Sequence, residues 1–398
     1  MNTSQKKIIQ LLSKALFKRD AEVLSVDWNA ILTEAKNQAV VQLVDSVIDK
    51  TLLSPEEAQA WKQAASTDIA KNIQIGHNHS LLHEWMKDIP YVILKGAASA
   101  SYYPTPAYRS MGDVDFLVPT DYIERAGKVL EEHGLKPWNE EHISHIVYRG
   151  PRMHYEMHFN LAGTPHGAAG DLVREYTKDI FEKAETKNVV SGVATLPSPF
   201  HHGLILLLHT CHHLTGEGVG LRHLCDWAVF ENSFSEVEFK KLFEEKLKAI
   251  GLWKFAQILT RVSIKYLGAD ERPWAVADDW LVDALMEDVL VSGNFGVKDV
   301  ERSNQAYLIS SRGKNGVGNT GICKQFIISL NNVVYTRWPF AKKWKVMLPV
   351  GWIYFGTKQA IKIAKGERKR VHLKRMIDGA EQRREFYKQF RLYEAETQ

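Results

Sequence analysis

The chain has 398 residues, 45% of them hydrophobic and 25% charged, with a net charge of +4. That is the balance of a soluble globular protein long enough for two or three domains, and it excludes a largely disordered, collagen-like or coiled-coil chain. The charge is uneven: residues 341–375 hold eleven Lys or Arg against the single acid Glu367, a net +10, so the remainder is net −6.

Three cysteines, Cys211, Cys225 and Cys323, are too few for a disulfide framework and match no zinc spacing, so a reducing, cytoplasmic compartment is expected. The first twenty residues have no long apolar core and no small-residue cleavage site, and no signal peptide is expected. The longest apolar runs, 203–208 and 346–356, fall well short of the ~20 residues of a membrane span.

Residues 1–85 read as helices. Ile8, Leu11, Leu12 and Ala15 recur at helical spacing, as do Leu32, Ala35, Ala39 and Leu43, and Pro55 with two glutamates suits a first helical turn. Asp88-Ile89-Pro90 breaks that pattern. Residues 91–94 then form a short apolar run expected as a buried strand ending at Lys95-Gly96, with a helix over 97–103 and a turn at 104–106. Residues 112–118 are expected as a second strand. Asp121 and Glu124 resemble a capping box ahead of the stripe Ile123, Ala126, Val129, Leu130. Residues 145–148 and 153–159 read as a hairpin. Residues 86–165 thus form a compact α/β unit. From 171 to about 325 the pattern is helical, with a polar connection near 191–199. The expected divisions are 1–85, 86–165, 166–330 and a basic aromatic segment 331–398. The fold class is α+β, a small mixed sheet embedded in a mostly helical protein.

The chemistry-bearing residues lie on the expected strands. Alternate strand positions share a face. If Val114, Phe116 and Val118 face the core, Asp113 and Asp115 face out together, ~7 Å apart. Such a pair repels unless a cation lies between, and Mg²⁺ takes carboxylate, water and phosphate oxygens. By the same parity Tyr155, Met157 and Phe159 are buried, while His154, Glu156 and His158 face the other way. Glu156 completes a three-carboxylate cluster if the hairpin packs beside the first strand. The alternative is a D-x-D that merely ends a surface strand. Upstream, Gly96 before a helix start suits phosphate, with Lys95 and Arg109 adding charge-assisted contacts. A plain β–α turn with both bases solvated is the other reading.

Strand–Gly–helix, then D-x-D, then a lone acid on a later strand resembles the nucleotidyltransferase superfamily of DNA polymerase beta type. The segments LKGAASASYYPTPAYRSMGDVDFLV, YEMHF, LLLHTCHHL and LRHLCDWAVF resemble more closely the uncharacterised nucleotidyltransferases called family 5, over roughly residues 35–300. The resemblance implies two Mg²⁺ ions, or Mn²⁺, held by Asp113, Asp115 and Glu156. It also implies an NTP, ATP first among them, as donor of a nucleoside monophosphate to a hydroxyl or amine acceptor. Glu156 or His158 would take the acceptor proton. Where the superfamily places Gly or Ser after the loop glycine, Ala97 follows Gly96, so Lys95 or Ser99 substitutes for the missing hydroxyl. A polysaccharide or envelope pathway is one setting. Kinase-like transfer on the same scaffold and a non-catalytic nucleotide-binding protein are the alternatives.

Other signals carry less. His209 and His213 share a helix face, which suits zinc or simply a helix lining the cleft. Arg222 and Asp226, four apart, are expected as an internal ion pair before a substrate contact. The G-x-G-x-x-G at 316–321 follows a polar loop rather than a strand and makes a weak dinucleotide motif. The basic segment suits a solvated helix or weak contact with an anionic membrane at the inner surface. It lacks any specific nucleic-acid module, and packing of its aromatics into the helical domain is the first expectation.

Overall fold

A computed structural model describes residues 1–22, 26–138, 144–151, 153–299, 301–309, 321–365 and 373–395. The chain opens with α1 (Thr3–Phe17), α2 (Trp28–Asn37), α3 (Val41–Asp45) and α4 (Pro55–Trp85). Ser54 and Glu57 close a reciprocal capping box on α4, and Pro55 occupies its first position, where no N–H is needed. Next come β1 (Val92–Ile93), α5 (Ala97–Ala100), β2 (Val114–Leu117), α6 (Ile123–Glu132), β3 (Lys136–Pro137), β4 (His145–Arg149) and β5 (His154–His158). These strands form one mixed sheet in the order β1-β2-β5-β4-β3, with β2 and β5 parallel and the other pairs antiparallel.

The middle of the chain supplies α7 (Ala168–Tyr176), β6 (Glu185–Val189), β7 (Gly192–Leu196), α8 (Pro199–Thr215), α9 (Leu221–Asn232) and α10 (Glu236–Ile250). It ends with α11 (Trp253–Val262), α12 (Asp279–Ser292), α13 (Arg302–Ile309), α14 (Ile322–Arg337), α15 (Leu348–Ala364) and α16 (Leu373–Lys388). The class is α+β, as the sequence implied.

Strand parity sets the two faces of the sheet. Val114, Phe116, Val118, Tyr155 and Met157 are fully buried in one core with Ile75 and Leu82 of α4 and Leu130 of α6. Each such side chain contributes about 1.5–3 kcal/mol by leaving water. On the opposite face Val92, Leu94 and Leu117 pack on Ile180 and Ile205 of α8. Beyond that plug the face opens into a cleft. A larger core joins α1–α3 and the first half of α4 to α8–α12 and α16, through Trp61, Trp227, Phe239, Phe243 and Tyr387. α4 therefore runs through both cores.

Three local expectations change. The polar connection near 191–199 belongs to a hairpin, β6 with β7, turned by Val190 and Ser191 at φ 50° and 62°. The turn lacks the Asn-Gly signature, and β6 is mostly exposed, so neither punctuation nor an apolar pattern announces it. The hairpin packs tightly on α4: a Cβ on Gly76 would meet the Val190 carbonyl oxygen at 1.9 Å, and one on Gly192 would meet the Gly76 carbonyl oxygen at 1.9 Å. Asp121 does not cap α6, because residues 120–122 form a separate 3-10 turn and Tyr122 takes the cap position without a side-chain bond. The helix after Gly96 is a single turn, Ala97–Ala100.

Candidate active site

The cleft, about 1020 Å³, lies between the polar face of β2 and β5 and the helices α8 and α9. It is lined by all eight residues singled out from the sequence: Lys95, Gly96, Ser99, Arg109, Asp113, Asp115, Glu156 and His158. Asp115 and Glu156 are direct partners in the parallel β2–β5 register, so their side chains leave the sheet on one face. Asp113 sits one residue before β2 and is half-buried. Gly96 turns the chain from β1 toward the cleft at φ +57°, a conformation glycine adopts without strain.

The sheet wall is dense in coupled charge. Lys95 Nζ lies 2.9 Å from Asp115 Oδ1, and His158 Nε2 lies 3.1 Å from the same oxygen and 3.5 Å from Glu156 Oε2. Burial works against ionisation of Asp115, but Lys95 and His158 overcome it and hold this carboxyl well below its ordinary range. Asp113 goes the other way. The charge of Asp115, then burial, pushes it up to about 7. Burial pulls His158 down, yet its bonds to Asp115 and Glu156 outweigh that and raise it. His158 is thus a proton donor to two carboxylates. Of the two residues expected to accept a proton from the acceptor, Glu156 is the better placed.

His145 of β4 stands opposite His158 in register and was not singled out from the sequence. Among the described residues, His145, Glu156 and His158 are the group whose donor atoms all lie within 4.8 Å of one another. Separation by a hairpin turn hid the pair from any spacing rule.

Arg109 and Arg222 divide their roles differently from the expectation. Arg109, 4% exposed, donates from Nε and Nη2 to the two carboxylate oxygens of Asp226 at 2.7 Å each, and from Nη1 to the Ser110 carbonyl at 3.3 Å. Tyr103 donates to Asp226 Oδ1 at 2.7 Å. Asp226 therefore pairs with Arg109, across 117 residues, and not with Arg222 as its spacing suggested. Arg222 is left to the cleft: its Nη1 reaches the Ser110 carbonyl, while its buried Nε makes no hydrogen bond. Ser99, 1% exposed, also holds a hydroxyl with no hydrogen-bond partner.

The helical wall is a cluster of imidazoles. His209 and His213 of α8 approach Nε2 to Nε2 at 3.0 Å, and His223 of α9 stacks on His209 with ring centroids 5.6 Å apart. Burial, aided by Lys95 for His209 and by Arg222 for His223, drives both well below the ordinary histidine range. His213 is lowered too, chiefly by burial and against the pull of Glu217. All three are neutral at pH 7, each with one donor and one acceptor nitrogen. Phe295 closes the wall with its ring 4.7 Å from His213 and 5.2 Å from His223 and from the Arg222 guanidinium. It does so from φ 56°, a strained backbone for a bulky residue. No periodic pattern marks it in the sequence. Of the G-x-G-x-x-G at 316–321, all but Gly321 lie outside the described residues.

No curated protein and no solved structure matches the chain. A family model described as "uncharacterised nucleotidyltransferase" matches residues 25–268, more than half of the chain. That span holds β2, β5 and the histidines of α8 and α9, and stops short of Phe295. The chain belongs to this family of uncharacterised nucleotidyltransferases.

Proposed function

We propose that the cleft transfers a nucleoside monophosphate from an NTP, ATP first among them, to a hydroxyl or amine acceptor, with pyrophosphate leaving. The observation that carries this reading is that Asp115 and Glu156, partners in the β2–β5 register, and Asp113, one residue before β2, all line one cleft, with Asp113 pushed up by the charge of Asp115. Carboxylates so arranged suit a hard divalent cation, which relieves the repulsion between them. Asp113, Asp115 and Glu156 would hold Mg²⁺, and His145, whose ring nitrogen lies within 4.8 Å of a Glu156 oxygen, also makes Mn²⁺ acceptable. When bound, such ions lower the pKa of the acceptor oxygen and neutralise the triphosphate.

The chain's own groups do the rest. Arg222 and Lys95 face the cleft as cations for the phosphates, and the Ser99 hydroxyl takes the place of the loop hydroxyl that Ala97 lacks. Glu156 accepts the acceptor proton, while His158 anchors Asp115 and Glu156. A cleft of about 1020 Å³ has room for an NTP and a small acceptor together. A polysaccharide or envelope building block is the acceptor class we carry forward.

Incubation with ATP labelled at the α or γ phosphorus tests the proposal in the presence of Mg²⁺ or Mn²⁺. Label from the α position appearing in product, with pyrophosphate released, supports it. Transfer of γ label alone establishes kinase-like chemistry instead, and binding without turnover makes the protein a nucleotide sensor.

A further inference from the structure

The C-terminal arm is unlike the rest of the surface. Residues 321–365 contain eight Lys or Arg and no Asp or Glu. Nine of the nineteen large apolar side chains found exposed among the described residues fall between 326 and 361. Elsewhere such side chains are mostly scattered singly, which is ordinary for a soluble protein, whereas a concentrated apolar patch marks an interaction surface.

α15 shows how the patch is built. One face packs inward. Trp352 donates from its indole nitrogen to Asn331 of α14 at 3.1 Å, and a Cβ on Gly351 would meet Val334 at 2.7 Å. Phe355 lies against Trp338 with ring centroids 5.2 Å apart. The other face is apolar as well and is open among the described residues: Val350, Ile353 and Tyr354 are exposed, Ile353 to 71%. The turn that leads in presents Phe340, Trp344 at 60% and Val346 at 75%. The aromatics therefore do not all pack into the helical domain, as first expected from the sequence. Lys342, Lys343, Lys345, Lys358 and Lys365 are exposed among these side chains.

We infer that this face is a docking surface for an anionic lipid bilayer, lying in the headgroup layer without crossing it. Exposed Trp, Tyr and aliphatic side chains interleaved with lysines, with no acid among them, match a negative interface chemically and electrostatically. A protein partner would need an acidic rim around an apolar centre, whereas an anionic bilayer offers both along the whole length of the arm. No described helix is long and apolar enough to span a membrane, and α15 carries Lys358 within it. The surface lies outside the span matched by the nucleotidyltransferase family, and none of its described residues lines the cleft.

Cosedimentation of the full chain with phosphatidylcholine vesicles, and with vesicles in which roughly a third of the lipid is phosphatidylglycerol, tests this. The chain should sediment with the anionic vesicles and not with the neutral ones, and should remain partly bound at about 0.15 M salt, where the Debye length is ~8 Å. Lys342→Gln, Lys343→Gln and Lys345→Gln together should lower partitioning about tenfold or more, since each base near such a surface contributes appreciably. Trp344→Ala with Ile353→Asn should remove what binding survives salt. Both sites are exposed, so an unchanged melting curve would verify the fold. Acyl-brominated lipid should quench tryptophan fluorescence by an amount that Trp344→Phe reduces. Failure to sediment with either vesicle at low salt overturns the inference. So does equal binding to both vesicle types, or a dimer in gel filtration that Ile353→Asn disperses, which would assign the face to a second copy of the chain.

Discussion

On the sheet wall of the cleft, Lys95, Asp113, Asp115, Glu156 and His158 crowd charges that pull each other's proton affinities apart: Asp115 down, Asp113 up to about 7, His158 up. On the helical wall, His209, His213 and His223 stand equally close together, yet burial keeps all three neutral. The difference lies in what each wall has for partners. His158 bonds Asp115 and Glu156 across adjacent strands and Lys95 bonds Asp115, so the charges of these two carboxylates are compensated. The three imidazoles face one another and the Phe295 ring, and among the described residues Glu217 is the one acid paired with them. One wall is therefore suited to cations and phosphate chemistry. The other sets three neutral imidazoles, which can donate and accept hydrogen bonds, beside the Arg222 guanidinium.

The sharpest way to break this contrast is at Asp115. Asp115→Asn removes the carboxylate at the centre of the sheet wall. Turnover should fall at least about a thousandfold, because charge stabilisation by a held cation is worth several kcal/mol. Loss of Mg²⁺ binding in calorimetry should accompany it. Full activity in the variant would mean that the sheet wall holds no catalytic cation.

A second change tests the joint between the walls. Arg109 and Asp226 form a buried two-bond ion pair that ties the loop before β2 to α9. Asp226→Asn leaves the guanidinium uncompensated and should lower stability by about 3–5 kcal/mol in urea unfolding. Arg222, by contrast, makes one long bond, 3.3 Å from Nη1 to the Ser110 carbonyl, pairs with no carboxylate among the described residues, and has a buried Nε with no bond to lose. Arg222→Gln should therefore keep the melting temperature nearly unchanged while weakening nucleotide binding about tenfold, the effect of one charged hydrogen bond. If Arg109→Gln weakened nucleotide binding without destabilising the chain, the division of labour between the two arginines would be reversed.

Those arginines also mark the limit of what the sequence reveals. Parity is a local rule, and it placed Asp115 and Glu156 on the open face because Val114, Phe116, Tyr155 and Met157 all bury on the other. Helical spacing was equally local and put His209 beside His213. Pairings over long separations obey no such rule. Arg222 and Asp226 have the right interval for an ion pair, but Arg109 reaches Asp226 with a better fork from another element. His145 meets His158 only because the hairpin register brings them opposite. Phe295 enters the cleft through a strained turn that no periodicity encodes. The β6–β7 hairpin was hidden for a related reason, since its turn relies on the fit of Gly76 against Gly192 rather than on turn-forming residues.

The smallest effect probes the repulsion itself. The Asp113 carboxyl rises from its ordinary 3.8 to about 7 in the folded chain, mainly through the charge of Asp115 and then through burial. Between those values the folded protein binds a proton that the unfolded chain does not. The stabilisation this gives is complete below the unfolded value and is lost as pH rises through about 7. Above that, charged Asp113 opposes folding when no cation is bound. Asp113→Asn removes the repulsion, so in chelator its melting temperature should exceed the native chain's by about 1–3 °C at pH 8. The margin should shrink toward pH 5, where native Asp113 is protonated as well. Added Mg²⁺ should reverse the order, since only the native carboxylate can ligate it, and Mg²⁺ binding to the native chain should release protons near pH 7. A margin that stays the same from pH 5 to pH 8 would mean that Asp113 does not feel Asp115, and that the sheet wall lacks the charge coupling that sets it apart from the histidine wall.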